Sequence, residues 1–318
     1  MLKQLPLPNH LQSLIAGDLS SDPIAAQYIK NDIAENYIKP DEIADPIGDE
    51  EHSKVNGLVH RYPDRVLLKI TDTCQVYCRF CFRKEMVGVG QGMLDADDID
   101  QAIAYIKNTP TIHEVIFSGG DPLTLSNRRL GEVLDKISSI DHIHTVRFHT
   151  RAPFINPARI DADFVSMLCN LRQSVIMVLH VNHASELSAD VTAMLKILSH
   201  SPIMLLSQSV LLKHVNDSED CLEALFRALI KNNVKPYYLH HLDKAPGTSH
   251  FRVPLARGME MMHALRARVS SPCLPSYVLE IPGGYGKVPV NESHVQWRDD
   301  HWQVKDLKGT IHRYDENL

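Results

Sequence analysis

The stretch RVLLKITDTCQVYCRFC, residues 65–81, holds both the first strand of a repeating pattern and a cluster of cysteines. Arg65–Ile70 is a short, apolar, β-branched run, which predicts a buried β-strand. Directly after it, Cys74, Cys78 and Cys81 follow the spacing C-x3-C-x2-C. Thiols clustered this closely indicate metal or redox chemistry rather than disulfides when no secretion signal is present.

The three thiols are compatible with two kinds of metal centre. Three thiolates can hold three irons of a four-iron cluster and leave the fourth iron free for another ligand. A structural zinc ion takes four protein ligands, and no fourth cysteine stands nearby, although one of the 18 histidines could serve. The spacing therefore favours an iron–sulfur cluster, with zinc as the alternative. The other cysteines, Cys169, Cys221 and Cys273, lie in apolar or helical settings and are expected to be buried, inert thiols.

Apolar, β-branched runs alternate with helix-like segments along the rest of the chain. This alternation predicts a parallel sheet built from βα units. We expect an α/β fold, a partial (open) parallel β/α barrel of about six βα units with a helical N-terminal region and short C-terminal strands. The expected further strands are His113–Phe117, His144–Phe148, Ser174–Leu179, Ile203–Leu206, Val234–Leu239 and Ser276–Ile281, and the expected helices are Ala96–Lys107, Arg128–Ser138, Asp161–Leu171, Ala189–Leu198, Ser218–Ile230 and Leu255–Arg268.

Three regions follow from this pattern. Residues 1–60 form an N-terminal helical or irregular region, with helical character from Asp22 to Tyr37. Residues 61–287 form the partial barrel, which ends in a glycine-rich loop, and residues 288–318 form a short C-terminal segment. No low-complexity stretch or linker separates a second domain.

Composition excludes some functions. The 318 residues carry a formal charge of −6, and the pI of about 6.3 argues against a dedicated nucleic-acid binder, which would be basic. No apolar run reaches the roughly 18 residues of a membrane span, and the N-terminus lacks the apolar core of a signal peptide. We therefore expect a cytoplasmic protein with no membrane or nucleic-acid partner.

Polar residues follow each predicted strand. In parallel barrels the working residues cluster at the C-terminal ends of the strands, so seven polar strand ends predict one shared site at this rim. The seven polar strand ends begin at Thr71, Ser118, His149, His180, Gln208, His240 and Glu280.

A lysine ends the glycine-rich loop Pro282–Lys287, which reads PGGYGK. It is not a phosphate-binding P-loop, because the G-x4-G-K-[ST] spacing is absent and Val288 follows the lysine. An isolated loop of this kind is most often a surface turn. A lysine on such a loop can also reach an aldehyde and bind it covalently.

The cysteine motif, with Phe80 before the last cysteine, resembles the signature of radical S-adenosylmethionine (SAM) enzymes. The segment SGGDP, residues 118–122, resembles the segment that meets the methionine amino group of SAM in that family. This resemblance implies a [4Fe-4S] cluster on Cys74, Cys78 and Cys81, and SAM bound at Gly119, Gly120 and Asp121.

Within the radical SAM enzymes, the chain resembles the lysine 2,3-aminomutases from about Asp45 to about Val290. Seven segments occur in the order found in that family: GLVHRYPDRVLL, CxxxCRxC, SGGDPL, QSVLL, PYY, HFRVP and PGGxGK. The resemblance implies that Lys287 binds pyridoxal phosphate (PLP). Arg61 and Tyr62 match the positions that hold the cofactor phosphate, and an arginine fork with a phenol suits that dianion. Arg65 matches a further basic residue near the site.

The resemblance to lysine 2,3-aminomutases also implies which residues contact the substrate. Arg83 matches the arginine that pairs with the substrate carboxylate, while Asp243 and Glu280 match two acidic positions that bind the distal ammonium. Two neighbouring carboxylates repel unless a cation lies between them, so the pair implies a basic substrate side chain. His180 and Gln208 match positions that line the SAM site, although both could be structural residues of the rim.

The implied function is radical SAM, PLP-dependent conversion of L-lysine to (R)-β-lysine. The chain resembles the short branch whose product modifies elongation factor P, because no cysteine-bearing extension follows Leu318. It departs from the pattern at Glu280, where Asp is usual, and at Tyr285, which interrupts a glycine run. The implied partners are lysine, an electron donor such as flavodoxin or ferredoxin, elongation factor P with its lysyl ligase, and further copies of the chain in a homo-oligomer.

Two alternatives remain open on the sequence. A radical SAM enzyme for arginine or a peptide would keep the three cysteines but would not need both acids and Lys287. A non-catalytic iron–sulfur sensor would need neither Lys287 nor the phosphate site at Arg61 and Tyr62.

Overall fold

A computed structural model describes residues 4–19, 21–88, 92–291, 294–298, 301–306 and 309–314. Its strands are β1 (Ser53–Val55), β2 (Leu58–Tyr62), β3 (Arg65–Thr71), β4 (Glu114–Gly119), β5 (Thr145–Thr150), β6 (Ser174–His180), β7 (Met204–Val210), β8 (Lys235–His240), β9 (Ser276–Glu280), β10 (Lys287–Pro289), β11 (Val295–Arg298), β12 (His301–Lys305) and β13 (Ile311–Tyr314). Its α-helices are α1 (Asn9–Leu14), α2 (Pro23–Tyr28), α3 (Asp32–Glu35), α4 (Ala96–Lys107), α5 (Asn127–Ser138), α6 (Ala152–Ile155), α7 (Ala162–Cys169), α8 (Ala189–Ser199), α9 (Glu219–Lys231) and α10 (Leu255–Arg268).

Strands β3 to β9 are parallel and adjacent in chain order. A helix of at least eight residues follows each of β3 to β8, so that six βα units build the centre of the molecule. The strands are rich in Val, Ile, Leu and Phe because helices cover one face and the site lies against the other. Phe117 and Phe148 show this packing, with ring centroids 5.0 Å apart on neighbouring strands.

Short polar residues define where most of these helices begin. The side chain of the residue before each of α4, α5, α7, α8 and α9 accepts a hydrogen bond from a main-chain N–H of the first turn. This N-cap satisfies one of the helix's free donors. The capping residues are Asp95, Ser126, Asp161, Ser188 and Ser218.

The barrel is open. The ten strands follow the linear order β1 to β10, and no pairing among the described residues joins the two ends of this order. Antiparallel pairs finish both edges, β1–β2–β3 on one side and β9–β10 on the other. The predicted open, parallel α/β barrel is confirmed. Strands β11 to β13 form a separate antiparallel sheet, and no helix among the described residues is long and apolar enough to cross a membrane.

Element bounds agree with the sequence predictions to within four residues, and those of α4 and α10 agree at both ends. The expected helical stretch Asp22–Tyr37 is two short helices, α2 and α3, because the extended backbone at Ile29 ends the first and the Asn31 side chain caps the second. The sequence analysis missed β1 and β2, which lie in and just after the region expected to be helical or irregular. Cys169 is exposed rather than buried, since it ends α7.

The N-terminal region packs on the cysteine loop through a buried ion pair. Arg79, between Cys78 and Cys81, donates from Nε to Glu35 Oε1 at 2.8 Å and from Nη2 to Glu35 Oε2. Both side chains are 1% exposed. The main-chain N–H of Arg79 also donates to the Gln27 carbonyl at 2.9 Å. Since a buried charge without its partner is costly, the ion pair fixes α3 against the loop, and the hydrogen bond to Gln27 fixes α2.

We predict that Glu35→Ala destabilises the protein by about 3–5 kcal/mol, because it leaves the Arg79 guanidinium buried without its carboxylate. Urea unfolding followed by circular dichroism measures the change. The control Glu132→Ala removes an exposed carboxylate that pairs with Arg128 on α5, and it should cost less than about 1 kcal/mol. Equal losses in the two variants would contradict a special role for the buried pair.

Candidate active site

The inner face of the parallel strands lines a cavity of about 740 Å³, which extends from Arg65 and Glu114 at strand starts to His240 and Glu280 at strand ends. Phe82 and Arg83 of the cysteine loop, together with Asp49 of the N-terminal region, form part of its wall. A second cavity, of about 760 Å³, is lined by Gly119, Gly120 and again Arg83, so this arginine is common to both. Eight residues predicted from the sequence line the first cavity: Arg61, Tyr62, Arg65, Arg83, Gln208, Asp243, Glu280 and Lys287.

Lys287 lies at the start of β10 and extends its side chain into the first cavity. Its Nζ is 4.6 Å from the centroid of the Tyr238 ring and 3.8 Å from Glu280 Oε2. Its main-chain N–H donates to the Tyr62 hydroxyl at 3.3 Å. Burial lowers the pKa of Lys287, although the carboxylates of Glu280 and Asp243 oppose that shift. A lysine with a lowered pKa, fixed at its main chain, is suited to act as a nucleophile.

The glycine loop before Lys287 is held by the N-terminal region. Gly283, Gly284 and Gly286 have φ between +82° and +93°, which only glycine adopts freely. A side chain on Gly48 would lie 2.6 Å from the Gly284 Cα, so the two backbones are in direct contact. Tyr285, the departure noted in the sequence, does not have a positive φ and is 80% exposed, so it fits the loop without strain.

The two acidic residues are close enough to affect each other. Burial and the negative charge of Glu280 raise the pKa of Asp243 to about 7. Glu280 also accepts a hydrogen bond from Arg61 Nη1. The sequence placed Arg61 at a phosphate and Glu280 at an ammonium, whereas the structure pairs them with each other. Both residues line the same cavity.

Arg83 is held by a buried carboxylate that the sequence analysis missed. Its Nε donates to Asp49 Oδ2 at 2.7 Å, and its Nη1 donates to the Ser118 hydroxyl at 3.2 Å. The Asp49 side chain is 1% exposed and also lies 4.0 Å from Arg61 Nη2 and from Lys69 Nζ. Burial alone would raise the pKa of Asp49, but these three cations lower it on balance. The cluster has more cations than anions, which suits a carboxylate ligand.

Further polar side chains line the cavity, and two of them, Arg147 and Tyr238, were not singled out from the sequence. Arg147 Nη2 donates to Glu114 Oε2 at 2.8 Å. Arg147 Nε and the Nε2 atoms of His149 and His240 are buried without a hydrogen-bond partner within the described structure. Arg147 alternates with the predicted rim residue His149 in the buried strand sequence VRFHT, and this alternation is the signal that could have identified Arg147.

Arg65 stacks on Tyr62, with its Cζ 3.9 Å from the ring centroid. His180 Nε2 and Gln208 Nε2 are 2.6 Å apart, at the ends of adjacent strands. Burial lowers the pKa of His180 to about 3, so the neutral ring accepts the amide N–H. His180 and Gln208 therefore lie toward the C-terminal ends of their strands, whereas Tyr62 and Arg65 pair with each other at the start of β3, at the opposite end of the parallel sheet.

The three cysteines lie on the loop after β3. Burial raises the pKa of Cys74, and it raises the pKa of Cys81 to about 11. Thiols in this setting need a nearby positive charge, such as a metal centre, to exist as thiolates. No three His, Cys, Asp or Glu side chains in the described part of the chain are placed to hold a single metal ion. The set of three thiols suits a group with several irons, each taking one thiolate.

The glycine segment after β4 packs directly on the cysteine loop. A side chain on Gly119 would lie 2.3 Å from the Thr71 carbonyl oxygen, and one on Gly120 would lie 2.2 Å from that of Thr73. The buried Asp121 carboxylate accepts from the Thr150 hydroxyl at 2.7 Å and from the main-chain N–H groups of Leu123, Arg151 and Ala152. Asp121 therefore ties together the turns after β4 and β5, a structural role that the sequence did not indicate.

A parallel, open barrel with a three-cysteine loop at its rim defines a radical SAM protein, and the family model described as Radical SAM superfamily matches residues 68–201. The chain is 37% identical over 307 residues to the L-lysine 2,3-aminomutase of Clostridium subterminale, which covers 96% of this chain and 73% of the relative. It is 37% identical over 305 residues to that of Acetoanaerobium sticklandii, with 96% and 73% covered. It is 38% identical over 303 residues to that of Methanococcus maripaludis, with 94% and 69% covered.

The chain belongs to the lysine 2,3-aminomutase family of radical SAM proteins. The predicted family and its isomerase class are thereby confirmed, as are the predicted [4Fe-4S] cluster and SAM, which the radical SAM match implies. The individual site residues, the region boundaries and the cytoplasmic location stay predictions.

We predict that Asp243 makes the stability of the ligand-free protein fall as pH rises. Its folded pKa of about 7 lies above the ordinary value of 3.8, so its contribution is complete below pH 4 and is lost as pH rises through 7. Relative to Asp243→Asn, the wild type should lose about 2–3 kcal/mol of unfolding free energy between pH 5 and pH 8.

Urea unfolding of both proteins at the two pH values measures this difference. Asp163→Asn, on the exposed face of α7, is the matched control and should follow the wild type at both values. A constant difference between the wild type and Asp243→Asn would show that Asp243 ionises normally.

Proposed function

We propose that this chain is a PLP-dependent lysine 2,3-aminomutase that converts L-lysine to (R)-β-lysine. The observation that carries the proposal is the position of Lys287, whose amine lies in the first cavity beside Glu280 and over the Tyr238 ring. An exposed surface turn, the alternative interpretation of the glycine loop, would leave that amine in water with an ordinary pKa, whereas burial lowers the pKa of Lys287.

The cavity fits pyridoxal phosphate. Its volume of about 740 Å³ is in the range of cofactor sites, and Arg61 Nε and Arg147 Nε are buried without partners in the described structure. Lys287 would hold the cofactor aldehyde, and Arg61, Tyr62 and Arg65 would hold its phosphate. When bound, PLP supplies a conjugated ring that stabilises an unpaired electron next to the migrating amino nitrogen.

The charges of the cavity select a basic amino acid. Burial, and then the negative charge of Glu280, raise the pKa of Asp243, and a substrate ammonium between the two acids would remove their repulsion. Arg83, already hydrogen-bonded to Asp49, would take the substrate carboxylate with its remaining N–H groups. Arg83, Asp243 and Glu280 line one cavity, so a single amino acid could bind the arginine with its carboxylate and the two acids with its distal ammonium.

The radical chemistry would begin on the cysteine loop. Cys74, Cys78 and Cys81 would hold the [4Fe-4S] cluster, and the main chain at Gly119 and Gly120, with Asp121, would contact SAM. Gln208, which lines the first cavity, and its hydrogen-bond partner His180 would contact SAM from that side. Arg83 lies two residues after Cys81 and lines both cavities, so a radical formed at the cysteine side would arise next to the substrate site. The enclosed walls would keep water away from it.

The proposal includes partners and a cellular role. A flavodoxin or ferredoxin would supply electrons in the cytoplasm, and the chain would act as a homo-oligomer. The lysyl ligase of elongation factor P would attach the product to that factor. This role rests on the likeness of the chain to the short branch of the family.

The test is anaerobic assay of protein reconstituted with iron, sulfide and PLP, supplied with SAM, a reductant and L-lysine. Chiral chromatography with mass spectrometry should detect (R)-β-lysine. Lys287→Ala should lower its formation by at least about a thousandfold and abolish bound PLP, while the exposed-lysine control Lys196→Ala on α8 should keep both.

Two results would contradict the proposal. Retention of covalently bound PLP in Lys287→Ala would overturn the assignment of that lysine. Cleavage of SAM without β-lysine would overturn the substrate, and L-arginine and lysylated elongation factor P would then be assayed in its place. For the cellular role, elongation factor P from cells lacking this chain should lack the mass of the β-lysyl group, and an unchanged mass would refute the link.

A further inference from the structure

Arg151 makes a direct contact with one of the three cysteines. It is the first residue after β5, and its guanidinium Nη1 donates to Cys78 Sγ at 3.2 Å. The residue is 7% exposed. A guanidinium that donates to sulfur is a charge-assisted contact when the sulfur is a thiolate, and charge assistance makes such contacts stronger than neutral ones.

Arg151 is fixed in this position from several sides. Its Nη2 donates to Gln27 Oε1 at 2.9 Å and to Glu186 Oε2 at 3.3 Å, and its Nε donates to the His180 carbonyl at 3.3 Å. Its main-chain N–H donates to Asp121 Oδ2 at 2.7 Å. The side chain therefore has little freedom to leave Cys78.

Glu186 completes the arrangement. Its side chain is fully buried, and Oε1 accepts from the main-chain N–H groups of Asn182 at 2.8 Å and His183 at 2.9 Å. Its Oε2 lies 3.3 Å from Arg151 Nη2, and an arginine guanidinium stays protonated in proteins. A permanent cation thus lies against one cysteine sulfur and is balanced by one carboxylate on its far side.

We propose that Arg151 raises the reduction potential of the [4Fe-4S] cluster bound by Cys74, Cys78 and Cys81, by donating a hydrogen bond and presenting a fixed positive charge to the Cys78 sulfur. Reduction adds one electron, taken from a low-potential one-electron donor, and one negative charge to the cluster, and no bond to carbon forms or breaks. A cation next to the sulfur stabilises the reduced cluster more than the oxidised one. Hydrogen bonds to cluster sulfurs act in the same direction.

The N-terminal region takes part in this effect through α2. Gln27, which is fully buried, binds Arg151 with its side chain and the Arg79 N–H with its carbonyl. The same residue thus fixes both the cysteine loop and the cation beside it. The proposed role of Arg151 depends on the cluster and not on PLP or lysine. An experiment can therefore disprove this role while the proposed function still stands.

The experiment is a redox titration of the reconstituted holoprotein, followed by electron paramagnetic resonance of the reduced cluster in the absence of SAM. In Arg151→Met the ratio of reduced to oxidised cluster at a fixed potential should fall at least about tenfold, which is 59 mV for a one-electron couple. Arg151→Lys keeps the positive charge but loses the planar guanidinium, so its ratio of reduced to oxidised cluster should lie between those of Arg151→Met and the wild type. Arg172→Met removes a guanidinium that binds main-chain carbonyls at the opposite end of the strands and should leave the ratio unchanged.

Arg151→Met leaves Glu186 buried without its cation and could fold poorly. The double variant Arg151→Met/Glu186→Gln removes both charges, while the amide oxygen still accepts from Asn182 and His183. It should shift the potential in the same direction but by less, because loss of the Glu186 negative charge partly offsets loss of the cation. Iron and sulfide contents check that the cluster is complete. An unchanged potential with a full cluster would overturn the proposal, as would a shift that occurs only after SAM is added, since Arg151 would then act on SAM and not on the cluster.

Discussion

The buried carboxylate of Asp49 is the interaction on which the layout of the site depends. It accepts a hydrogen bond from Arg83 of the cysteine loop and lies near Arg61 of β2 and Lys69 of β3. Three segments of the chain thus converge on one anion. Without it, three cations would face one another at low dielectric, and mutual repulsion would drive them apart. The two cavities share Arg83, so the anchoring of this one side chain also determines how the cavities meet.

Much of the fold could be predicted because it follows from local patterns. The alternation of β-branched runs with amphipathic segments indicated the parallel sheet, and parallel strands necessarily bring their C-terminal ends to one edge. For the same reason residues far apart in sequence, such as Gln208 and Glu280, were expected in one place, and both line the same cavity. The cysteine spacing is also local, and it identified the loop without any knowledge of the fold.

Ion pairs between residues that are far apart in the sequence could not be predicted. Asp49 and Glu35 lie 34 and 44 residues before their arginine partners, in the region expected to be helical or irregular. Nothing local distinguishes them from exposed acids, since their burial results from how the N-terminal region folds over the rim. The pairing of Arg61 with Glu280 is likewise a tertiary result, because both residues were expected to bind ligands and not each other.

The Arg61–Glu280 ion pair has a consequence for the order of events at the site. An anionic group that binds Arg61 weakens the hold of that arginine on Glu280, and the freed carboxylate is then available to a cation. The converse holds equally, because a coupling free energy between two sites is reciprocal. Anion and cation binding in this cavity are therefore linked, and each ligand should bind more tightly once the other is in place, even where the two do not touch.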